Sequence, residues 1–559
     1  MPSLNFKGKA LVQNFHLLVP YHELKPVKSK SLTSKVSLHD NLIVHGDNLK
    51  ALKSLLPYYH GKVKCIYIDP PYNTGNEKWV YNDNVSSPMI QEWLGKVVDR
   101  EDLTRHDKWL CMMVPRLKVL RELLDDKGLM GISIDENEFS NLITLCDEIF
   151  GENNLFGIVV VRNNPRGRRM GTEFAVEHEY LVLYARNRDS FSAGRLPLTD
   201  EQLLEYSEVD YEGRRSRLLG LRKRGALSRR QDRPNLYYPL YGDRKSGRVT
   251  LESAKGLEQI LPKLSDGSDG VWRWSKTKVR DEGLKLTARE VRRRGSGDKE
   301  LDVFEFDYSE DDAGELVGRL FPSIWQGSEF NNETGRDQLK ELFNGKSVFE
   351  NPKPVDLIKH LLLLAGDENG LVFDPFAGSG TTAQAVLELN NSDGGKRRFV
   401  CIEEQDFADR ITAERTRRVI DVLGRGERAN SFSFVEVGHP MRLETLLKAD
   451  KLPSYEDLAG YIFYTATGED FDARQIHRKT GFIGESRQHD VYLLYEPSLE
   501  YLKSTALTLD MARSLPKGSG KKRLVFAPTK YLDSIHLDEH RIEFCQLPFE
   551  IYKAAKRNP

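Results

Sequence analysis

The chain has 559 residues, more than the roughly 250–300 that one hydrophobic core holds, so several domains are expected. Its 39% hydrophobic and 30% charged residues exclude a collagen-like or low-complexity protein. The 83 Lys and Arg residues nearly balance the 84 Asp and Glu residues, and the net charge is -1. This balance neither indicates nor excludes a polyanionic partner, because electrostatic surfaces are local.

The five cysteines are scattered and never in CxxC spacing, which disfavours a disulfide framework and a structural zinc site. We therefore predict a reducing compartment and no bound metal. The N-terminus lacks the apolar segment of a signal peptide, and no run approaches the roughly 20 apolar residues of a membrane helix. We expect a cytoplasmic protein without a membrane partner.

The first half of the chain alternates between two patterns. Residues 1–35 are rich in Lys and Ser towards their end and are predicted to be an N-terminal arm. Over residues 36–190, the short apolar runs NLIVHGD, VKCIYIDPP, GLMGISID and EYLVLYAR predict strands, and helical periodicity lies between them. Strands that alternate with helices predict a mostly parallel sheet in an α/β domain.

The second half is less uniform. Residues 191–345 form a basic, poorly periodic insert, in which residues 211–300 contain 24 Lys and Arg against 12 Asp and Glu, with aromatic residues between the basic clusters. Such an insert predicts nucleic-acid contact, with a solvated charged surface as the alternative. The α/β pattern returns over residues 346–430, and residues 431–559 predict a separate α+β domain.

A glycine-rich loop, DPFAGSGTT, follows the apolar strand LVF and opens a helix. Its glycines allow a tight turn and the close approach of a ligand at the carboxyl edge of the sheet. Glu403 ends the next strand, where an acidic group can bind ribose hydroxyls. The loop lacks the GKS/T ending and the GxGxxG pattern, which disfavours a triphosphate or a dinucleotide, and an ordinary tight turn is the alternative.

The motif DPPY directly follows the strand VKCIYI. Two prolines cannot continue a sheet, so they hold a carboxylate, a carbonyl and an aromatic ring in a fixed turn. The two acceptors suit an exocyclic amine of a nucleobase, and Tyr72 could stack on a base removed from the duplex. A purely structural Asp-Pro turn is the alternative.

The pair of motifs resembles the S-adenosyl-L-methionine-dependent amino-DNA methyltransferases. The order of DPPY, basic insert and glycine-rich loop is similar to their β class. The runs HGDNLKAL, IDPPYNTGNEKWVYNDN and CQLPFEIYK look more specifically like the modification subunit of type III restriction-modification systems. The resemblance implies a Rossmann-like methyltransferase fold that is circularly permuted, interrupted by a target-recognition insert and followed by a C-terminal α+β domain.

The resemblance also implies the site residues. The target-adenine site would comprise Asp69, Pro70, Pro71 and Tyr72. The S-adenosylmethionine site would comprise Asp47, Lys353, Asp374, Phe376, Gly378, Gly380 and Glu403. Basic residues expected to contact DNA are Arg166 and Arg168 in the turn NNPRGRR, and Arg222, Arg224, Arg229 and Arg292 in the insert.

The implied reaction is methylation of adenine N6 in duplex DNA after the base is flipped, because Asp before PPY is the usual adenine pattern of the family. Methylation of cytosine N4 stays open, whereas cytosine C5 is disfavoured because none of the cysteines follows a proline. The resemblance further implies a homodimer and a nuclease-helicase restriction subunit as a partner. A third interpretation is a protein that acts mainly as the DNA-recognition subunit of a restriction complex.

Overall fold

The structure is a computed structural model that describes residues 4–33, 36–74, 105–170, 174–292, 299–310, 317–424, 431–440, 452–467, 469, 471–516 and 520–547. The chain forms two compact units. Unit 1 comprises Met1–Gly194 and Pro322–Pro559, and unit 2 comprises Arg195–Phe321. The predicted insert, residues 191–345, therefore contains unit 2 in full together with the beginning of the second segment of unit 1.

The strands of the described residues are β1 (His22–Pro26), β2 (Leu42–His45), β3 (Val63–Ile68), β4 (Leu124–Ile134), β5 (Leu155–Val161), β6 (Arg168–Met170), β7 (Phe174–Val176), β8 (Glu179–Ala185), β9 (Glu208–Val209), β10 (Arg215–Gly220), β11 (Leu240–Gly242), β12 (Val249–Thr250), β13 (Glu258–Ile260), β14 (Leu286–Arg292), β15 (Lys299–Tyr308), β16 (Ile324–Trp325), β17 (Leu371–Asp374), β18 (Arg398–Glu403), β19 (Ser433–Pro440), β20 (Phe482–Glu485), β21 (His489–Leu493), β22 (Lys522–Ala527) and β23 (Ile542–Gln546). The α-helices of the same residues are α1 (Lys9–Val12), α2 (Phe15–Leu18), α3 (Asn48–Tyr59), α4 (Arg105–Leu123), α5 (Phe139–Phe150), α6 (Asp200–Leu204), α7 (Lys276–Glu282), α8 (Asn332–Leu342), α9 (Val355–Ala365), α10 (Thr381–Asp393), α11 (Glu414–Leu423), α12 (Tyr455–Thr467), α13 (Leu499–Ser504), α14 (Leu509–Ser514) and α15 (Ser534–Glu539).

A large sheet forms the centre of unit 1. In the described part of the chain it has ten strands, in the order β1-β19-β2-β18-β17-β3-β4-β8-β5-β16. The run from β19 to β4 is parallel throughout, and β8 is antiparallel to both β4 and β5. A parallel run of this kind carries its ligand sites at the carboxyl ends of its strands.

The inner strands of the parallel run are apolar along nearly their whole length. Strand β17 reads LVFD and is buried at every position, and β2 reads LIVH. Such runs are typical of strands that helices cover. Helices α3 and α10 contact β18, and α9 contacts β3 and β4. The predicted α/β fold class is thus confirmed, and a circular permutation of it stays a prediction.

The predicted N-terminal arm and the predicted C-terminal domain each contribute one strand to the large sheet. Strand β1, within the predicted N-terminal arm, pairs antiparallel with β19, and its residues His22 and Leu24 are buried. This alternate burial was obscured in the sequence by the lysines and serines around it. Strand β19, within the predicted C-terminal domain, pairs with β2, while β20, β21, β22 and β23 form a second, four-stranded sheet.

Unit 2 consists of antiparallel strands. The order β14-β15-β10-β9 forms one sheet, and β12-β11-β13 forms another. Three of the aromatic residues that lie between basic clusters in the sequence, Tyr238, Trp272 and Trp274, are buried in its core. The Tyr238 hydroxyl donates to the carbonyl oxygen of Trp274 at 2.8 Å, and the Trp272 indole donates to that of Tyr238 at 2.9 Å. These rings stabilise unit 2 and do not form its surface.

Among the described helices, none combines the length and the apolar character that crossing a membrane requires. The longest of them, α4, carries charged residues at both of its ends.

The central strand β3 offers a test of the fold. Ile66 is fully buried and lies opposite Phe373 of β17 and Met130 of β4. We expect Ile66→Ala to lower the free energy of unfolding by about 2–5 kcal/mol, because the deletion leaves a cavity in a packed interior. Urea denaturation followed by circular dichroism measures this change. The control Val422→Ala removes a side chain that is 76% exposed and should leave the urea midpoint unchanged.

Candidate active site

Two motifs that are distant in the sequence meet at one edge of the large sheet. Strands β3 and β17 pair in parallel, with Ile66 opposite Phe373, so their carboxyl ends are neighbours. Asp69 directly follows β3, and Asp374 is the last residue of β17. The DPPY turn and the glycine-rich loop therefore share one end of the sheet, where open α/β sheets bind ligands.

A cavity of about 730 Å³ lies between the two motifs. Its described lining is Tyr67, Asp69, Pro70, Pro71, Tyr72, Thr74, Asn163, Glu179, Asn332, Val348, Phe349, Glu350, Asn351, Pro352, Lys353, Asp374, Phe376, Ala377, Gly378, Ser379, Thr381, Gln405, Phe407, Arg410 and Ile411. The lining includes eight of the eleven predicted site residues, whereas Asp47, Gly380 and Glu403 are not part of it.

Residues that do not line the cavity fix the DPPY turn by hydrogen bonds. The indole nitrogen of Trp109, in α4, donates to the carbonyl oxygen of Pro71 at 2.7 Å. Asn73 adopts a left-handed backbone conformation with φ 57°, and its amide donates to the fully buried carboxylate of Glu138. His106 contacts the same carboxylate at 2.7 Å. These contacts fix the turn. Residues 75–84, the rest of the sequence run that resembles type III modification subunits, lie outside the described residues.

Lys353 connects the two motifs. Its ammonium nitrogen lies 2.7 and 2.8 Å from the two carboxylate oxygens of Glu179 and 3.3 Å from Oδ1 of Asp69. It also donates to the Tyr72 hydroxyl at 2.5 Å. Its own carbonyl oxygen accepts a hydrogen bond from Thr381 at 3.2 Å, in the first turn of α10. The side chain of Lys353 is therefore bound to the DPPY turn, and its main chain to the glycine-rich loop.

The buried ionisable groups of this network shift one another's pKa values. Burial opposes the charge of Lys353, but Asp69 and Glu179 together raise its pKa above the ordinary value. Removal from bulk water raises the pKa of Asp69, and the Lys353 ammonium opposes that shift. Burial, together with the charges of Asp69 and Glu179, raises the pKa of Tyr72 far above its ordinary value. Tyr72 therefore stays protonated and donates its hydroxyl proton to Glu179 at 3.0 Å.

The glycine-rich loop is organised by Asp374. One of its carboxylate oxygens accepts from the backbone nitrogen of Phe376 at 3.0 Å, and the other accepts from the Thr382 hydroxyl at 2.5 Å. Gly378 and Gly380 have φ values of 52° and 82°, in the left-handed region that favours glycine. A Cβ atom on Gly380 would lie 3.1 Å from the carbonyl oxygen of Thr412. The loop thus depends on its two glycines for both conformation and space.

Two of the predicted cofactor residues lie outside the cavity lining, and one of them, Glu403, supports the loop. Glu403 is buried and accepts from the backbone nitrogens of Gly378 at 2.8 Å and Gln405 at 2.9 Å. Asp47 is the N-cap residue of α3 and accepts from the backbone nitrogen of Lys50 at 2.8 Å. These contacts are structural, and a ribose or adenine contact for either residue stays a prediction.

A buried arginine that the sequence analysis did not identify lies beneath the same loop. Arg415, in α11, is fully buried and donates to the hydroxyls of Ser379 at 2.7 Å and Thr381 at 2.8 Å. Its Nε donates to Gln384 at 2.7 Å. Burial lowers its pKa to about 9. No sequence signal distinguishes Arg415 from Arg417 and Arg418, the half-buried arginines of the same amphipathic helix.

Glu179 is the second residue that the sequence analysis did not assign to the site. It is the first residue of β8, and β8 is antiparallel to β4, with Tyr180 opposite Ile134. The amino end of an antiparallel strand lies at the edge where its parallel neighbours end. A polar residue at the start of the apolar run EYLVLYAR was therefore a usable signal, but only once the direction of that strand was known.

The predicted DNA-binding residues occupy different surroundings. The side chain of Arg166 is 84% exposed and lies 3.5 Å from Glu333, and the side chain of Arg168 lies outside the described residues. In unit 2, Arg224, Arg229 and Arg292 are exposed. Arg222 is only half-exposed, and its guanidinium donates to the carbonyl oxygen of Lys263. A role of these residues in DNA binding stays a prediction.

The chain is similar to known proteins. A family model named N6_N4_Mtase and described as DNA methylase matches residues 63–414, more than half of the chain. The type II methyltransferase M.KpnI of Klebsiella pneumoniae is 34% identical over 392 residues, which are 69% of this chain and 85% of the relative. The chain belongs to this DNA methylase family.

Type III modification subunits are similar as well. The EcoPI Mod subunit of Escherichia phage P1 is 32% identical over 423 residues, which are 73% of this chain and 64% of the relative. The EcoP15I Mod subunit of Escherichia coli is 28% identical over 434 residues, 72% of this chain and 64% of the relative. The predicted resemblance to these subunits is confirmed, and the match spans less than two thirds of the length of either one.

The pH dependence of stability tests the burial of two carboxyl groups, one in the glycine-rich loop and one that contacts it. Burial raises the pKa of Asp374 and that of Glu403 to about 7 each. The folded protein therefore holds these protons more tightly than the unfolded chain, so both groups reduce stability as pH rises from about 4 to 7. We expect the double variant Asp374→Asn and Glu403→Gln to lose less stability than wild type between pH 5 and pH 8. Urea denaturation at the two pH values measures this, and equal losses would contradict the assigned pKa values.

Proposed function

We propose that this protein transfers a methyl group from S-adenosylmethionine to N6 of an adenine in duplex DNA, as the modification component of a restriction-modification system. The observation that carries the proposal is the shared cavity, in which the DPPY turn and the glycine-rich loop face each other. An acceptor pair for a base amine and a ligand-binding loop at one sheet edge suit a reaction between a nucleobase and a small cofactor.

The cavity fits the cofactor. Its volume of about 730 Å³ lies within the range of roughly 300–1,000 Å³ that is typical of small-molecule sites. Rings of Phe349, Phe376 and Phe407 supply apolar walls. The lining has more carboxyl groups than basic side chains, which suits a ligand that carries a sulfonium cation. When bound, the cofactor supplies an activated methyl group, so the protein acts mainly through positioning and electrostatics.

The residues of the DPPY turn would bind the target amine. Asp69 accepts one N–H bond of the amine, and a backbone carbonyl accepts the other. We assign that carbonyl to Pro70, because the carbonyl of Pro71 is bound by Trp109. The ring of Tyr72 stacks on the flipped base, and its hydroxyl bonds keep the ring in place. Asp374 and Glu403 hold the glycine-rich loop in place beside the cofactor, and a contact of Glu403 with the ribose stays a prediction.

We further infer that the protein binds DNA through exposed arginines, acts as a homodimer in the cytoplasm and is paired with a restriction subunit. The names of similar proteins support DNA binding and a restriction partner, since the EcoPI and EcoP15I proteins are Mod subunits of type III restriction-modification enzymes. The exposure of Arg224, Arg229 and Arg292 supports contact with phosphate.

Transfer of labelled methyl groups to mixed-sequence duplex DNA tests the proposed reaction. We expect Asp69→Ala to reduce incorporation by roughly 100-fold or more, because the amine loses an acceptor that is fixed in place before the reaction. Calorimetry should show that the variant still binds S-adenosylmethionine, since Asp69 lies on the DPPY side of the cavity. Equal incorporation by the variant and wild type would contradict the assignment of Asp69.

The methylated base identifies the reaction in the same samples. Mass spectrometry of the digested DNA should detect N6-methyladenine. Detection of N4-methylcytosine instead would replace adenine by cytosine as the substrate, and the absence of any methylated base from wild-type reactions would contradict the proposed function itself.

A substitution in the glycine-rich loop tests the cofactor site. Gly378 has a φ of 52°, a conformation that a β-branched residue rarely adopts, and a Cβ atom there would already contact the Phe349 ring at 3.4 Å. We expect Gly378→Val to abolish measurable binding of S-adenosylmethionine in calorimetry. The control Gly345→Ala changes another left-handed glycine that has no neighbour within 4 Å, and it should bind normally. Undiminished binding by Gly378→Val would remove the loop from the site.

A further inference from the structure

The carboxylate of Glu179 is almost fully buried, with 3% of its side chain exposed. A buried carboxylate is costly unless it is paired and hydrogen-bonded. Glu179 has three such partners in the structure. Both oxygens contact the ammonium of Lys353, and Oε2 also accepts from the Tyr72 hydroxyl at 3.0 Å and the Asn163 amide at 2.8 Å. Two of these partners, Lys353 and Tyr72, are predicted residues of the site.

The position of Lys353 depends on a competition between two carboxylates. Its ammonium lies 2.7 Å from Glu179 and 3.3 Å from Asp69, so it is closer to Glu179. Asp69 must accept an N–H bond from the target amine, and an ammonium bound tightly to Asp69 would occupy the same oxygens. Among the described residues, Asp69 would be the remaining carboxylate within reach if Glu179 were neutral.

We propose that Glu179 is a positioning residue that holds Lys353 and Tyr72 so that Asp69 stays available to the target amine. This inference rests on the proposed function. Glu179 need not touch either substrate for this purpose. It acts through Lys353, whose ammonium it holds closer to itself than to Asp69, and through Tyr72, whose ring it fixes by the hydroxyl.

A neutral amide tests the charge while keeping the shape of the side chain. In Glu179→Gln, the Lys353 ammonium has Asp69 as its anionic partner and moves towards it. We expect kcat to fall by roughly 10- to 100-fold, because small displacements of reacting groups reduce rates by such factors. The KM for S-adenosylmethionine should change much less than kcat, although Lys353 is a predicted cofactor residue. Calorimetric binding of the cofactor by the variant verifies that the cavity is intact, and loss of that binding would contradict a purely positioning role.

The pH dependence of kcat gives a readout that general damage to the fold does not produce. The charged or titratable groups that act on Asp69 in the described structure are Lys353, Glu179, Tyr72, Tyr67 and Asp374. Glu179 raises the pKa of Asp69, and Lys353 lowers it. Glu179→Gln removes the first effect and strengthens the second. The acid limb of the pH profile should therefore move to lower pH, and a limb that stays in place would contradict the inference.

A double variant separates this role from an independent one. If Glu179 acts through Lys353, then Glu179→Gln combined with Lys353→Met should lose less activity than the product of the two single losses, because coupled residues are not additive. The control Glu177→Gln neutralises a nearby glutamate that pairs with Arg162 at 2.7 Å at the surface, and it should retain wild-type kcat.

The outcomes distinguish the inference from the proposed function. Wild-type kcat in Glu179→Gln, or fully multiplicative losses in the double variant, would overturn the role of Glu179 while leaving methyl transfer by the wild type intact. An inactive wild-type protein in the same assay would overturn the proposed function, and the role of Glu179 with it.

Discussion

The parallel pairing of β3 with β17 is the constraint on which the site depends. It places the ends of two strands side by side, although the chain between them forms four of the ten described strands of the sheet and all of unit 2. Neither loop encloses a cavity alone, because each supplies only one wall. Lys353 then joins the two walls, with its carbonyl oxygen on one loop and its ammonium on the other. The site is therefore a property of the sheet and not of either motif.

The network around Lys353 also defines the arrangement of side chains in the site. Three polar side chains of the cavity, those of Lys353, Glu179 and Tyr72, satisfy one another within 3.0 Å. A buried network of this kind is costly unless every member is paired, so its geometry is narrowly defined. Behind it, Trp109 and Glu138 hold the main chain of the DPPY turn.

Sequence reasoning identified the parts of the site that short motifs encode. Asp69 and Asp374 each follow an apolar strand within a turn whose residue types have a clear physical reason. Glu179 was missed because its contribution depends on the direction of β8, which no local pattern indicates. The basic insert was recognised by composition, but composition does not separate surface from interior. Trp272 proved to be a core residue, and Arg222 binds a backbone carbonyl.

The two ends of unit 2 have a consequence for how such a protein changes over time. Leu196 and Arg319 exchange backbone hydrogen bonds at 2.9 and 2.8 Å, so the chain begins and completes this unit at adjacent points. A segment whose ends are neighbours can be lengthened, shortened or exchanged for another without altering the spacing of the strands that flank it. Unit 2 can therefore change as a replaceable module, while the large sheet of unit 1 keeps its geometry.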